Sequence, residues 1–214
     1  MRTNIKLGRV FGIEIGLHYS WFLIALLIVL SVVGEFSAVH KDWSTGVIWS
    51  LSILTALLFF VSLLLHELAH SLVAESRGLP VRAITLFALG GISQIEKEPS
   101  DARTEFWMAI VGPLTSIAIG GVCLGIARWC GWTPGISPNV PLVAMLVWLG
   151  YINLGLGVFN LIPGYPLDGG RVLRALIWWA TGNANRSTRI AAKVAVSIWI
   201  NRSGLRKCSS GRTL

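Results

Sequence analysis

Apolar residues in this chain fall in long unbroken blocks, not in the short alternations of a soluble fold. A helix needs about 20 mostly apolar residues to cross the hydrocarbon core of a bilayer. Four blocks qualify: Leu17 to Gly34, Thr45 to Ala74, Phe106 to Trp129 and Leu142 to Ile162. The first is too long, and lacks the small-residue cleavage pattern, for a removed leader. The segment Val81 to Glu96 is apolar but short and carries Gly90 and Gly91, so it predicts a β-hairpin lying at the membrane surface. Arg171 to Ala180 predicts a short helix. Arg189 to Ile200 starts like a span but stops too soon, which predicts an interfacial segment with Lys193 and Arg202 reaching toward headgroups. The predicted fold is an all-α polytopic membrane protein: about four transmembrane helices, a short membrane-associated hairpin and a short C-terminal helix. Residues 1–202 form one membrane-embedded domain in this reading, and 203–214 a disordered basic tail.

Composition strengthens that picture. The 214 residues are 54% hydrophobic and only 13% charged, where soluble domains carry about 25% charge. The net charge of +8 comes from residues that flank the apolar blocks and crowd the C-terminal stretch, with no stripe suited to nucleic acid. Lys and Arg collect before the first block (Arg2, Lys6, Arg9), between the second and third (Arg77, Arg82, Lys97, Arg103) and after the fourth (Arg171, Arg174). The alternation predicts a cytoplasmic N-terminus and four crossings. Trp21, Trp43, Trp107, Trp129, Trp132 and Trp148 sit near block ends, as an aromatic belt does. Cys123, Cys130 and Cys208 have no metal-ligand spacing and imply no disulfide framework.

The chemistry is concentrated at the end of the second block, in LLLHELAHSLVAE. His66 and His70 are four apart, so a helix projects both imidazoles from one face. Such a pair can hold one metal ion, with Glu67 placed to act as a base. Polar groups of this kind inside a span are costly unless they coordinate or pair. A catalytic zinc keeps three protein ligands and an open position. His18 and His40 belong to other positions, while Glu96, Glu98, Asp101 and Glu105 fall in a charged stretch expected to be solvated. The remaining candidate is Asp168, the sole acidic residue after Glu105, following the fourth block where Pro163, Gly164 and Pro166 break the helix. An N-cap role for Asp168 is compatible with the same position. Gly90 and Gly91 fit either a tight turn or an exposed strand edge. Gly112 and Pro113 fit either a kink or close helix packing.

HELAH at His66 and FNLIPGYPLDGGR around Asp168 resemble the two signatures of the site-2 protease family of intramembrane zinc metalloproteases. GRVFGIEIGLHYSWFLI is similar to the opening of the branch that often carries C-terminal domains of the cystathionine-β-synthase type. LFALGGISQIE resembles the family's sheet segment, and VGPLTS its third-span Gly-Pro motif. The resemblance implies zinc, one per chain, held by His66, His70 and Asp168, with Glu67 as the base. It implies helper roles in substrate binding for Asn160, Gly90, Gly91 and Ser116, the last standing where many members place Asn. It also implies membrane-spanning protein substrates and a prokaryotic cell membrane as location, while the charge alternation predicts a site toward the cytoplasm. The chain's last residues lose apolar character abruptly, where the family usually continues with further spans. Two other functions fit parts of the pattern: a silent, shortened homologue that binds without cutting, and a proton or metal relay built on the same intramembrane groups.

Overall fold

A computed structural model describes residues 5–87, 90–95 and 97–192. Strand β1 (Ile5–Val10) turns into β2 (Ile13–Leu17), followed by helices α1 (Ser20–Val39) and α2 (Thr45–Ser76). Strands β3 (Val81–Phe87) and β4 (Gly90–Ile95) lead into α3 (Ala102–Trp129), α4 (Pro141–Asn160) and α5 (Asp168–Thr181). A further helical stretch covers 184–192. Most of the expected interfacial segment, from Lys193 to Ile200, and the expected tail at 203–214 lie outside the described residues.

The four expected spans are α1 to α4, each long and apolar enough to cross a membrane. This is an integral, multi-pass membrane protein. The first span extends past Gly34 to Val39, because Glu35 and the residues after it continue the helix without a breaker. Phe22, Leu23, Leu26, Leu27 and Leu30 are exposed on α1, the arrangement that lipid, not water, rewards. Val32 and Phe36 of α1 pack with Ile48 and Leu51 of α2 and with Ala144, Met145 and Leu149 of α4. Helix α2 has 32 residues, or about 48 Å at 1.5 Å per residue, well beyond the ~30 Å hydrocarbon core. Its buried face steps by three or four, through Ile48, Ser52, Ala56, Phe60, Leu63, His66, His70 and Ala74. The metal-type histidines are therefore a continuation of the helix's packing stripe.

The sheet is larger than the expected hairpin. It has four strands in the order β1-β2-β3-β4. The hairpin at Val81 to Glu96 is present as antiparallel β3 and β4. Residues expected only to precede the first span supply two more strands. Ile13, Ile15 and Leu17 are buried on alternate positions of β2, and that strand pairs in parallel with β3, Glu14 opposite Ala83 and Leu17 opposite Leu86. Parallel neighbours require a long crossover, which here is α1 plus α2. Exposed β1 is held to β2 by its ladder and by Arg9 Nη2 to Glu14 Oε1 at 2.7 Å. Arg9 and Lys6 hold the Glu14 carboxyl below its ordinary range.

The chain divides into two compact units, one of residues 1–98 and 111–158, the other of 99–110 and 159–214. The first holds the sheet, α1, α2 and most of α3 and α4. The second begins with Asp101, which caps α3: its Oδ1 accepts from Thr104 N at 2.9 Å and its Oδ2 from Thr104 Oγ1 at 2.7 Å. These bonds hold the Asp101 carboxyl below its ordinary range. Glu105, expected in a solvated stretch, is instead 1% exposed. Arg174 of α5 brings Nε to 3.0 Å from its Oε2 and lies over the Trp178 ring, 5.9 Å from the centroid. A buried charge needs a partner, and α5 provides it.

Candidate metal centre

His66 and His70 are both buried, at 2% and 6% exposure. The helix brings Nε2 of one to 3.2 Å from Nε2 of the other, with ring planes at 77°. Two nitrogens bound tetrahedrally to one zinc at 2.0–2.1 Å lie about 3.3 Å apart. The pair is thus spaced as the edge of a zinc tetrahedron. His66 Nδ1 meets Ser116 Oγ of α3 at 2.9 Å, and Ser116 is wholly buried. A ligating imidazole ordinarily has its second nitrogen fixed in this way, which sets the tautomer and leaves Nε2 for the metal.

Gly112, one turn before Ser116 on α3, faces the same two rings. A Cβ there would fall on His70 Nε2 and lie 2.8 Å from His66 Nε2. The space in front of the two nitrogens therefore exists because residue 112 has no side chain. The next residue, Pro113, lies inside the helix and removes one backbone hydrogen bond there. A divalent cation fits these features: two converging imidazole nitrogens, a hydroxyl behind one of them and a side-chain-free wall.

Glu67 follows His66 on α2. A Cβ at Gly91 of β4 would lie 2.7 Å from Glu67 Cδ and 3.0 Å from Oε1. Gly91 lets the strand backbone approach the carboxylate more closely than any other residue could. Gly90 has φ of 135°, a conformation that side-chain-bearing residues rarely adopt. Ser71 Oγ, which donates to Glu67 O at 3.0 Å, also meets Ser93 Oγ of β4 at 3.1 Å. These contacts tie the strand to the helix turn that carries the histidines and Glu67. His18 is a capping residue at the base of α1: its Nδ1 accepts from Ser20 N at 3.2 Å.

In the second unit, Asp168 is the first residue of α5, and Leu167, not Asp168, occupies the N-cap. Its loop is fixed backbone to backbone. A Cβ at Gly169 would fall on the carbonyls of Leu161 and Ile162, and one at Gly170 would lie 2.9 Å from Gly164 C and O. Gly164 N donates to Ile162 O at 2.8 Å and Leu167 N to Gly164 O at 2.9 Å. The Tyr165–Pro166 bond is cis. Burial pushes the Tyr165 hydroxyl above its ordinary range. Asn160 ends α4 and is half-buried. His66 and His70 in the first unit, and Asp168 in the second, each offer a ligand atom of a kind that metal ions accept.

In the sequence alone Gly112 reads as a kink or packing residue, and Glu105 as part of a solvated stretch. No local signal marks either one. Gly112 is defined by what α2 presents to it, and Glu105 by an arginine on α5.

Comparison with known proteins gives the family in which this helix-borne HExxH pair belongs. The model of peptidase family M50 matches residues 54–135 and 126–200. The chain belongs to this family. It is 43% identical over 196 residues to the protein sll0528 of Synechocystis, covering 91% of this chain and 49% of that one. It is 35% identical over 199 residues to zinc metalloprotease MJ0392 of Methanocaldococcus jannaschii, covering 92% of this chain and 52% of that one. The solved structure of a site-2 protease from Methanocaldococcus jannaschii is 32% identical, with a TM-score of 0.58 over 96% of this chain and 86% of that one. The chain spans about half the length of these curated relatives.

Proposed function

We propose that the protein is an intramembrane zinc metalloprotease that hydrolyses peptide bonds of membrane-spanning proteins. The observation that carries this reading is the His66–His70 pair, its nitrogens 3.2 Å apart and its open side walled by Gly112. His66, His70 and Asp168 hold one zinc in this proposal, and family membership supports the assignment. Zinc, when bound, polarises the scissile carbonyl and lowers the pKa of water to near neutrality. Glu67 takes the proton from the attacking water and delivers it to the leaving amine. Ser116 holds the His66 ring. The carboxylate of Asp168 offsets part of the metal's charge in surroundings where water is scarce. Asn160, Gly90 and Gly91 act as helpers, the two glycines by keeping β4 close to Glu67.

Residues 1–202 constitute one membrane-embedded protease domain in this proposal. The opening segment GRVFGIEIGLHYSWFLI supports placing it in the branch that often carries cystathionine-β-synthase-type domains. The charge alternation supports a cytoplasmic N-terminus in a prokaryotic cell membrane, with the site toward the same side. Cysteine labelling tests the orientation: positions 99 and 42 should react from opposite sides, and reaction from one side would overturn it.

The test of function separates binding from chemistry. Glu67→Gln should keep zinc while hydrolysis of a membrane-embedded substrate falls by about 10²–10⁴. Asp168→Ala should lose both zinc and activity. Full turnover in Glu67→Gln would remove Glu67 from the mechanism, and unchanged zinc affinity in Asp168→Ala would remove the third ligand. A chain that binds zinc in neither form would be a silent homologue.

A further inference from the structure

A second cavity lies in the first unit, away from the histidine pair. Its volume is about 500 Å³, within the ~300–1,000 Å³ range of small-molecule sites. Phe36 on its wall packs beside Ile48 of α2. His66 is 18 residues farther along that helix, so the two sites are separated by about 27 Å of helix axis.

The lining combines the rings of Trp132, Trp148 and Tyr151 with the carboxylate of Glu35. Among the described residues Glu35 has no hydrogen-bond or ion-pair partner. It is exposed, one residue before the last turn of α1, which carries no basic residue. A cation beside Glu35 would give it the ion-pair partner that the described residues do not supply. The wall is built, not loose. Trp132 is 9% exposed and donates its indole N–H to Ile136 O at 2.9 Å, closing the loop before α4. Trp132 also meets Tyr151 edge to face, centroids 6.2 Å apart. Aromatic rings and a carboxylate lining one cavity suit an organic ammonium ion.

The cavity is graded along its depth. Glu35, His40 and Ser137 lie at the α1 end and in the loop before α4, while Val147, Tyr151 and Ile152 lie along α4. These last three are six to eleven residues inside α4, roughly 9–16 Å along its axis. Tyr151 and Ile152 are themselves exposed on the lipid-type surface. A ligand that fills the space must be cationic at one end and apolar at the other.

We propose that this cavity is a binding site for a phospholipid with an ammonium headgroup, the ammonium set between Glu35 and the Trp132 and Trp148 rings and the acyl chain running along Tyr151 and Ile152. The site is independent of the metal centre.

The test is a lipid titration of the full chain in detergent, read by native mass spectrometry, with phosphatidylethanolamine, phosphatidylcholine and phosphatidylglycerol of one acyl composition. Both ammonium lipids should bind about 10-fold more tightly than phosphatidylglycerol. Glu35→Gln should remove about 5- to 30-fold of the ammonium-lipid affinity and leave phosphatidylglycerol unchanged. Trp148→Leu keeps an apolar side chain, removes a ring assigned to the headgroup, and should weaken the ammonium lipids alone. Glu75→Gln, an exposed carboxylate near the end of α2, should change nothing. Equal binding of the three lipids to the unmodified chain would overturn the proposal, as would parallel loss in Glu75→Gln. Displacement of phosphatidylethanolamine by a lysine-rich peptide at equal concentration would also overturn it, assigning the cavity to a protein segment.

Discussion

Replacing Gly112 by alanine adds one methyl group and, by this geometry, should empty the metal centre. The new Cβ would lie 2.8 Å from His66 Nε2 and 2.5 Å from His70 Cε1, and would overlap His70 Nε2. Ordinary carbon–nitrogen contact is near 3.4 Å, so the His66 nitrogen must retreat by roughly 0.6 Å and the His70 ring by more, whereas metal ligands tolerate about ±0.2 Å. Even indirect disturbance of a ligand costs about 10–100-fold in metal affinity. Direct displacement of two nitrogens should cost at least 100-fold, about 2.7 kcal/mol. The assay is zinc retention against a chelator of known affinity, with thermal unfolding measured in parallel. Gly125→Ala on the same helix is the control, since a Cβ there meets nothing within 4 Å. Unchanged zinc affinity in Gly112→Ala, with the control also unchanged, would refute the placement of the metal between these rings.

Ser116→Ala should weaken zinc about 10–100-fold by freeing the second nitrogen of His66, with Ser116→Thr restoring part of the loss; equal affinity in all three forms would deny the hydroxyl any hold on the ring. Arg174→Met should destabilise the protein by about 3–5 kcal/mol because Glu105 is left buried without its cation. The double variant Glu105→Gln, Arg174→Met should recover most of that loss, and denaturant titration of the three forms decides the matter.

The spans were legible because lipid imposes a requirement that any run of apolar residues displays: length. The HExxH pair was legible because both ligands sit one turn apart on one helix. Strand β2 did carry a signal, with Ile13, Ile15 and Leu17 alternating against Glu14 and Gly16. That signal was overshadowed by the span that follows it, and every residue of β1 is exposed, so its pattern records no buried face. Ser116 lies 50 residues from the histidine it orients, and nothing in VGPLTS encodes that contact. It exists only once α3 has packed on α2. Gly91 and Gly112 were visible as glycines, yet their meaning resides in what faces them, Glu67 in one case and two imidazoles in the other.

The parallel pairing of β2 with β3 imposes an order on biogenesis. β2 leaves the ribosome before its partner, which follows two complete membrane helices. The N-terminal strand must wait, unpaired on its inner edge, while α1 and α2 are inserted. Closing so long a loop is slow compared with forming either helix. Once β3 arrives and zips onto β2, β4 can fold back and bring Gly91 against Glu67. A chain in which only one of the first two helices crosses would leave β2 and β3 on opposite faces of the bilayer and could not assemble this arrangement. The sheet thereby acts as a proofreading step, coupling formation of the catalytic neighbourhood to correct insertion of the helices before it.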